Sequence, residues 1–291
     1  MATSSLKQSV IVIVGPTASG KTSAAIEVAK EFNGEVICAD SRTVYRDMNI
    51  GTAKPTDKEM DGIKHWGLDL VYPNQRFTAA DFKAYAIGMI KDIRSRGKLP
   101  IVVGGTGLYI NGLLYNYKYS SRLSEDKLKK FEEMSVQRLQ QYCEENNIRI
   151  TTSSKNKRHL ISAISQEGQR NRLSVSDLQE YIVVGIATGR EQLNHSIRLR
   201  TEHMFLNGVV EEAIMLGKKY GWDHASMTGN IYPILHKFTT GELDIEEAKD
   251  EFCIRDRQLA KRQMTWFRSN PFIEWCLRHE VSGYVRSRLA D

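Results

Sequence analysis

The sequence predicts an α/β fold, a parallel sheet with helices on both faces, interrupted by a small helical insertion. Three observations predict it. Apolar runs at Val10–Val14, 35–39 and 99–103 alternate with helical patterns, as strands buried on both faces do. The first strand leads through Gly15-Pro16-Thr17-Ala18-Ser19-Gly20-Lys21-Thr22, a complete phosphate-binding loop, into a helical pattern. A highly charged stretch from Lys118 to Glu180 then breaks the rhythm, and a strand-like segment, Tyr181–Ala187, resumes it.

In chain order, residues 23–32 read as an amphipathic helix and 35–39 as a second short strand. Thr78, followed three residues later by Asp81, marks a capped start for a helix that runs to Arg96 and stops at Gly97. Residues 124–145 form a charged helical run, 156–164 begin another helix, and 165–176 read as a polar loop. Two long helical segments follow, 191–220 and 245–268. The expected organisation is a core begun by residues 1–117, a helical insertion at 118–180, and completion of the core with C-terminal helices at 181–291.

Composition is that of a water-soluble globular chain, 41% hydrophobic and 26% charged, and no stretch approaches a membrane span. The first nine residues do not resemble a signal peptide. Cys38, Cys143, Cys253 and Cys276 show neither metal-ligand nor disulfide spacing, which points to reduced thiols in a cytoplasmic protein. The net charge of +6 is unevenly spread. Residues 118–172 carry 12 basic against 7 acidic side chains, and residues 252–291 carry 8 against 4. Two basic segments around a near-neutral phosphate-binding core suggest a polyanionic partner.

The phosphate loop fixes the ligand chemistry but not the ligand, so ATP and other nucleotides stay open at this point. Its backbone N–H groups and the following helix N-terminus surround an anion, Lys21 adds charge, and Thr22 can place a hydroxyl on magnesium. Asp40-Ser41-Arg42-Thr43 stands just after the second strand, where a carboxylate can hold magnesium, orient a nucleophile or take its proton. Thr106 follows Gly104-Gly105 at the end of the third strand. That strand lacks the terminal aspartate of many ATPases, which weakens an ATP-hydrolysing role. On the last long helix, Phe252, Leu259 and Trp266 form an apolar stripe bordered by Arg255 and Arg262, whose guanidinium groups are placed to reach phosphate.

Taken together, the chain resembles the tRNA dimethylallyltransferase family, also called tRNA isopentenyltransferases. The resemblance rests on the loop from Gly15 to Thr22, Asp40-Ser41 with Val44-Tyr45, and Ile50-Gly51-Thr52-Ala53-Lys54-Pro55. It continues through Phe77-Thr78-Ala79-Ala80-Asp81-Phe82, Val103-Gly104-Gly105-Thr106-Gly107-Leu108-Tyr109 and the helix from Arg257 to Arg268. It implies a P-loop nucleoside-triphosphate-hydrolase-like core, and transfer of a dimethylallyl group from its diphosphate to the exocyclic N6 amine of the adenosine beside the anticodon. Carried to this sequence, Asp40 and Thr106 are the catalytic candidates. Gly15, Thr17, Ala18, Ser19, Gly20, Lys21, Thr22, Arg255 and Arg262 would hold the diphosphate, with Mg2+ on Thr22. Asp40, Ser41, Arg42, Thr43, Thr106, Lys129 and Arg158 would meet tRNA.

The partners implied are tRNA and dimethylallyl diphosphate, with no membrane, and the chain is expected to work as a monomer. The insertion departs from the family pattern: His159-Leu160-Ile161-Ser162-Ala163-Ile164 stands where two arginines three residues apart are usual, with Arg158 beside it. The competing readings are a prenyltransferase acting on free adenine nucleotide, a small-molecule kinase, and a non-catalytic tRNA-binding protein.

Overall fold

Five apolar residues in succession leave no face for water, so the segment Val10–Val14 becomes the central strand β1, buried along its whole length. The computed structural model describes residues 9–117, 125–150, 154–165, 180–229 and 231–290. The chain folds as two compact units, one of residues 1–114 and 178–291, the other of residues 115–177.

The first unit holds a six-stranded sheet. After β1 come α1 (Lys21–Glu31), β2 (Gly34–Cys38), the short α2 (Asp57–Met60), β3 (His65–Trp66), α3 (Ala79–Ser95), β4 (Leu99–Gly104) and α4 (Gly107–Leu114). All six strands are parallel, in the order β3-β2-β4-β1-β5-β6, where β5 is Tyr181–Ala187 and β6 is Glu274–Leu277. In register, Val12 of β1 lies between Val102 of β4 and Val183 of β5. Between β5 and β6 lie α8 (Arg190–Leu206), α9 (Val209–Tyr220), α10 (Tyr232–Thr239) and α11 (Ile245–Arg268); α12 (Val281–Ala290) closes the chain.

Some helices start where the sequence supplies partners for their free N–H groups. Thr78 caps α3 in a reciprocal box with Asp81, and Asp244 caps α11 in the same way with Glu247. One core packs the alternate residues Ile11 and Ile13 of β1, with Val36, Ile101 and Val184, against Ala24, Ala25 and Val28 of α1 and Val285 and Leu289 of α12. Small residues on α1 let the helix lie close to the sheet. A second core gathers Val44 and Met48 with Val209, Leu216, Tyr232, Leu235 and Phe252. Phe82 and Tyr109 stack at 4.3 Å between ring centres and join α3 to α4.

The second unit contains α5 (Glu125–Glu133), α6 (Val136–Glu145) and α7 (Lys157–Ser165) around Phe131, Leu139, Cys143, Leu160 and Ile164.

Two expected long helices are each divided in two. The run at 124–145 breaks where the Ser135 side chain accepts from the Arg138 N–H and starts a new helix. The run at 191–220 breaks at Gly208, whose φ of 89° is left-handed. The strands β3 and β6 are too short to carry a periodic signal, and His65-Trp66 pairs with Val36-Ile37. The polar loop expected at 165–176 lies outside the described residues after Ser165.

Candidate active site at the carboxyl ends of the strands

A parallel sheet puts the carboxyl ends of its strands on one side, and ligands enter the crevice there. Here β1, β2 and β4 deliver the phosphate loop, Asp40 and Thr106 to one cleft of about 650 Å³. Gly104 allows the last two to meet: a side chain on it would come within 2.0 Å of the Ala39 carbonyl. The Ser41 N–H donates to Thr106 Oγ1 at 3.0 Å, which fixes the hydroxyl beside the aspartate loop. Asp40 accepts the Arg42 N–H on Oδ1 at 2.8 Å, and its Oδ2 has no hydrogen-bond partner among the described residues.

The phosphate loop has the curvature of an anion nest. Ala18 and Gly20 both take left-handed conformations, φ 59° and 81°. Thr17, Ala18, Gly20, Lys21 and Thr22 line the cleft, while Gly15 and Ser19 support the turn from behind. The Ser19 hydroxyl is buried with no hydrogen-bond partner among the described residues. Lys21 Nζ donates to the Pro16 carbonyl at 3.0 Å. Burial pushes its ammonium down to about 8, against the pull of Asp40; Arg200 adds to the depression and Asp256 opposes it. A cation held in that condition gains from a polyanion placed beside it.

The far wall comes from α11. Phe252, Asp256, Leu259 and Gln263, spaced four, three and four residues apart, share a helix face that lines the cleft, and Arg262 borders it. Arg255 does not line the cleft; its guanidinium bonds Glu251 at 2.5 Å. The cleft side of this turn belongs to Asp256. Trp266 does not extend the stripe into the cleft and instead lies against Gly107.

Several cleft residues escaped the sequence reading. Asp256 is only 2% exposed and pairs with Arg200 of α8, which also lines the cleft. A carboxylate between Phe252 and Leu259 on an apolar helix face was a signal that could have revealed it. Glu212 accepts the N–H groups of Asn49 and Ile50 at 2.7 Å, that of Gly51 at 2.8 Å and the Tyr232 hydroxyl at 2.9 Å. It thereby holds the loop whose Gly51, Thr52 and Ala53 form another cleft wall. No local pattern could announce a contact made across more than 160 residues.

Of the residues expected to meet tRNA, Ser41, Arg42 and Thr43 also line this cleft. Arg42 Nη1 donates to the carbonyls of Ala225 and Ser226, and the buried Thr43 hydroxyl has no partner. Lys129 is exposed on α5 of the helical unit, and Arg158 belongs to α7, its side chain outside the described residues. Among the described residues no group of three or more His, Cys, Asp or Glu side chains is arranged for a metal. The hydroxyl of Thr22 with single carboxylates nearby suits magnesium, which takes most of its ligands from phosphates and water.

The IPP transferase family model matches residues 43–270. The tRNA dimethylallyltransferase of Acetivibrio thermocellus is 38% identical over 296 residues, covering 94% of this chain and 93% of that one. That of Staphylococcus epidermidis is 38% identical over 294 residues, covering 95% and 89%. The crystal structure of the tRNA isopentenylpyrophosphate transferase from Bacillus halodurans superposes with a TM-score of 0.74 at 32% identity, over 97% of both chains. A eukaryotic dimethylallyltransferase acting on tRNA shares the fold at a TM-score of 0.78 and 23% identity, over 96% of this chain and 77% of that one. With the phosphate loop, the aspartate loop and Thr106 gathered on one sheet edge, and with likeness along nearly its whole length, the chain belongs to the IPP transferase family of tRNA dimethylallyltransferases.

Proposed function

We infer that the chain transfers a dimethylallyl group from dimethylallyl diphosphate to the exocyclic N6 amine of the adenosine beside the anticodon in tRNA, releasing diphosphate. The observation that carries this reading is the single cleft in which the anion nest faces Asp40 and Thr106. The amine nitrogen attacks the first carbon of the donor as the carbon–oxygen bond breaks, and the bonding electrons leave with diphosphate. The open oxygen of Asp40 takes the amine proton. Lys21 and Arg200, with the backbone N–H groups around Gly20, stabilise the charge that grows on the leaving diphosphate. The Thr106 hydroxyl, whose oxygen already accepts from Ser41, is free to donate its proton to the nucleotide or the leaving group. Thr22 would hold magnesium, which supplies further charge neutralisation on the diphosphate when bound.

A stacked adenine cannot present its amine in line with the donor carbon, so the base must be extruded into the cleft. We propose that Ser41, Arg42 and Thr43, which line the cleft, meet it, and that Lys129 of α5 and Arg158 of α7 contact the tRNA backbone. Action on tRNA supports a cytoplasmic location, and we propose a monomer as the working form. Among the described residues no helix is long and apolar enough to cross a membrane.

Incubation with unmodified tRNA, dimethylallyl diphosphate and magnesium, followed by nucleoside mass analysis, tests the proposal. The expected product is dimethylallyl adenosine from tRNA, with no reaction on AMP in a parallel tube. Transfer to AMP alone would replace tRNA by a free nucleotide. Phosphoryl transfer from ATP without prenyl transfer would overturn the reading.

A further inference from the structure

Gln263 is one cleft residue that the mechanism above does not use. It projects from the C-terminal part of α11, one helix turn beyond Leu259, into the gap between two loops that come from different strands. Its Oε1 accepts the Thr17 N–H at 2.7 Å, and its Nε2 donates to the Gly105 carbonyl at 3.0 Å. Thr17 is in the phosphate loop after β1, and Gly105 precedes Thr106 after β4. A side chain on Gly105 would come within 2.3 Å of Nε2, so the amide occupies the room that glycine leaves.

Resting on the donor reading above, we propose that Gln263 is a positioning residue: it locks the diphosphate loop to the Thr106 loop, so that leaving group and catalytic hydroxyl keep a fixed spacing. The chemistry of the side chain supports this. One end of the contact is a donor N–H and the other an acceptor carbonyl, and among side chains of this length only a neutral primary amide answers both. Glutamate matches the Thr17 N–H but sets a carboxylate against the Gly105 carbonyl. Methionine fills the space and answers neither. An amide that fixes a left-handed loop also spares the donor the entropic cost of ordering it.

The test uses the full chain with Gln263→Met and Gln263→Glu, magnesium present, and inorganic diphosphate as the calorimetric probe. Losing two neutral hydrogen bonds should weaken diphosphate binding by about tenfold in Gln263→Met. Turnover at saturating dimethylallyl diphosphate should fall by a further factor of about ten, because the spacing to Thr106 is no longer fixed. Amide exchange at Thr17 should accelerate, with the melting temperature of the chain near that of wild type. Gln263→Glu should recover toward wild type as pH falls through the carboxyl range, where the protonated acid can donate to Gly105. Lys21, Asp40, Arg200, Asp256 and Arg262 carry charge in the same cleft, so that recovery is read as a ratio to wild type at each pH, with Gln263→Met as the control that does not recover.

Unchanged diphosphate affinity and turnover in Gln263→Met, with Thr17 exchange as slow as in wild type, would overturn the clamp. A wild-type chain that binds neither diphosphate nor dimethylallyl diphosphate would instead sink the donor reading, while faster Thr17 exchange in the variant would still report the lock.

Discussion

The two ends of the sheet carry similar charged groups and use them differently. At the amino end, Glu35 of β2 is 1% exposed and fully answered: it accepts from Trp66 Nε1 at 2.8 Å, from both terminal nitrogens of Arg96 and from Lys98. The Arg96 guanidinium does most to hold its carboxyl down to about 2, with Lys98 and Trp66 helping against burial. At the carboxyl end some groups are left open. Burial holds the Lys21 ammonium down, and among the described residues the Thr43 hydroxyl and the second carboxylate oxygen of Asp40 have no hydrogen-bond partner. Satisfied buried charge stabilises the fold; unsatisfied buried polarity leaves room for a ligand.

The largest break expected in that contrast is at Asp40. Asp40→Asn keeps size and the Arg42 N–H contact but removes the proton acceptor, so prenyl transfer should fall by about 10²- to 10⁴-fold while donor affinity holds. Single-turnover rates at saturating donor measure it. A near-wild-type rate would remove Asp40 from the chemistry.

Glu35 predicts the opposite split. Glu35→Ala should destabilise the fold by about 3 kcal/mol and leave turnover per folded molecule unchanged. Because the folded carboxyl titrates below its usual 4.5, its contribution is complete above pH 4.5 and is lost as pH falls toward 2. Denaturant melts of wild type and variant should therefore converge across that window. Equal stability of the two at neutral pH would mean that the network contributes nothing.

Lys21 titrates in the other direction. Its ammonium is the form that binds diphosphate, and burial brings its loss down to about pH 8. Affinity should then fall as pH rises above 8, by up to about tenfold per unit. Lys21→Arg, which stays charged, separates this from titration of diphosphate itself. A parallel decline in both chains would assign the loss to the ligand.

The sequence made the open end more legible than the satisfied one. The phosphate loop, Asp40 and Thr106 follow strand ends, and a parallel sheet brings strand ends together whatever the rest of the chain does. Val10–Val14 and Tyr181–Ala187 matched their strands because long apolar runs admit few alternatives. The Glu35 network, the Glu212 loop grip and the Gln263 bridge all join residues far apart in sequence, and no periodicity encodes such contacts. The same limit explains Arg255 and Arg262. Both border one apolar stripe, but Arg255 turns to Glu251 one turn away while Arg262 lines the cleft, a difference that periodicity does not encode.

That pair provides the smallest and sharpest prediction. Arg262→Ala removes a cation from the cleft wall and should weaken diphosphate or tRNA binding by about tenfold. Arg255→Ala removes a partly exposed guanidinium whose partner, Glu251, sits one turn away on the same helix. Pairs of that kind contribute about 0.3–0.5 kcal/mol, so stability should shift by no more than that and neither ligand's affinity should change. Calorimetric titration of both variants with diphosphate, and filter binding with tRNA, compares them directly. A loss of diphosphate affinity in Arg255→Ala as large as in Arg262→Ala would mean that its bond to Glu251 gives way when ligand enters, and that the cleft wall on α11 extends a turn further than Arg262, Leu259 and Asp256 mark it.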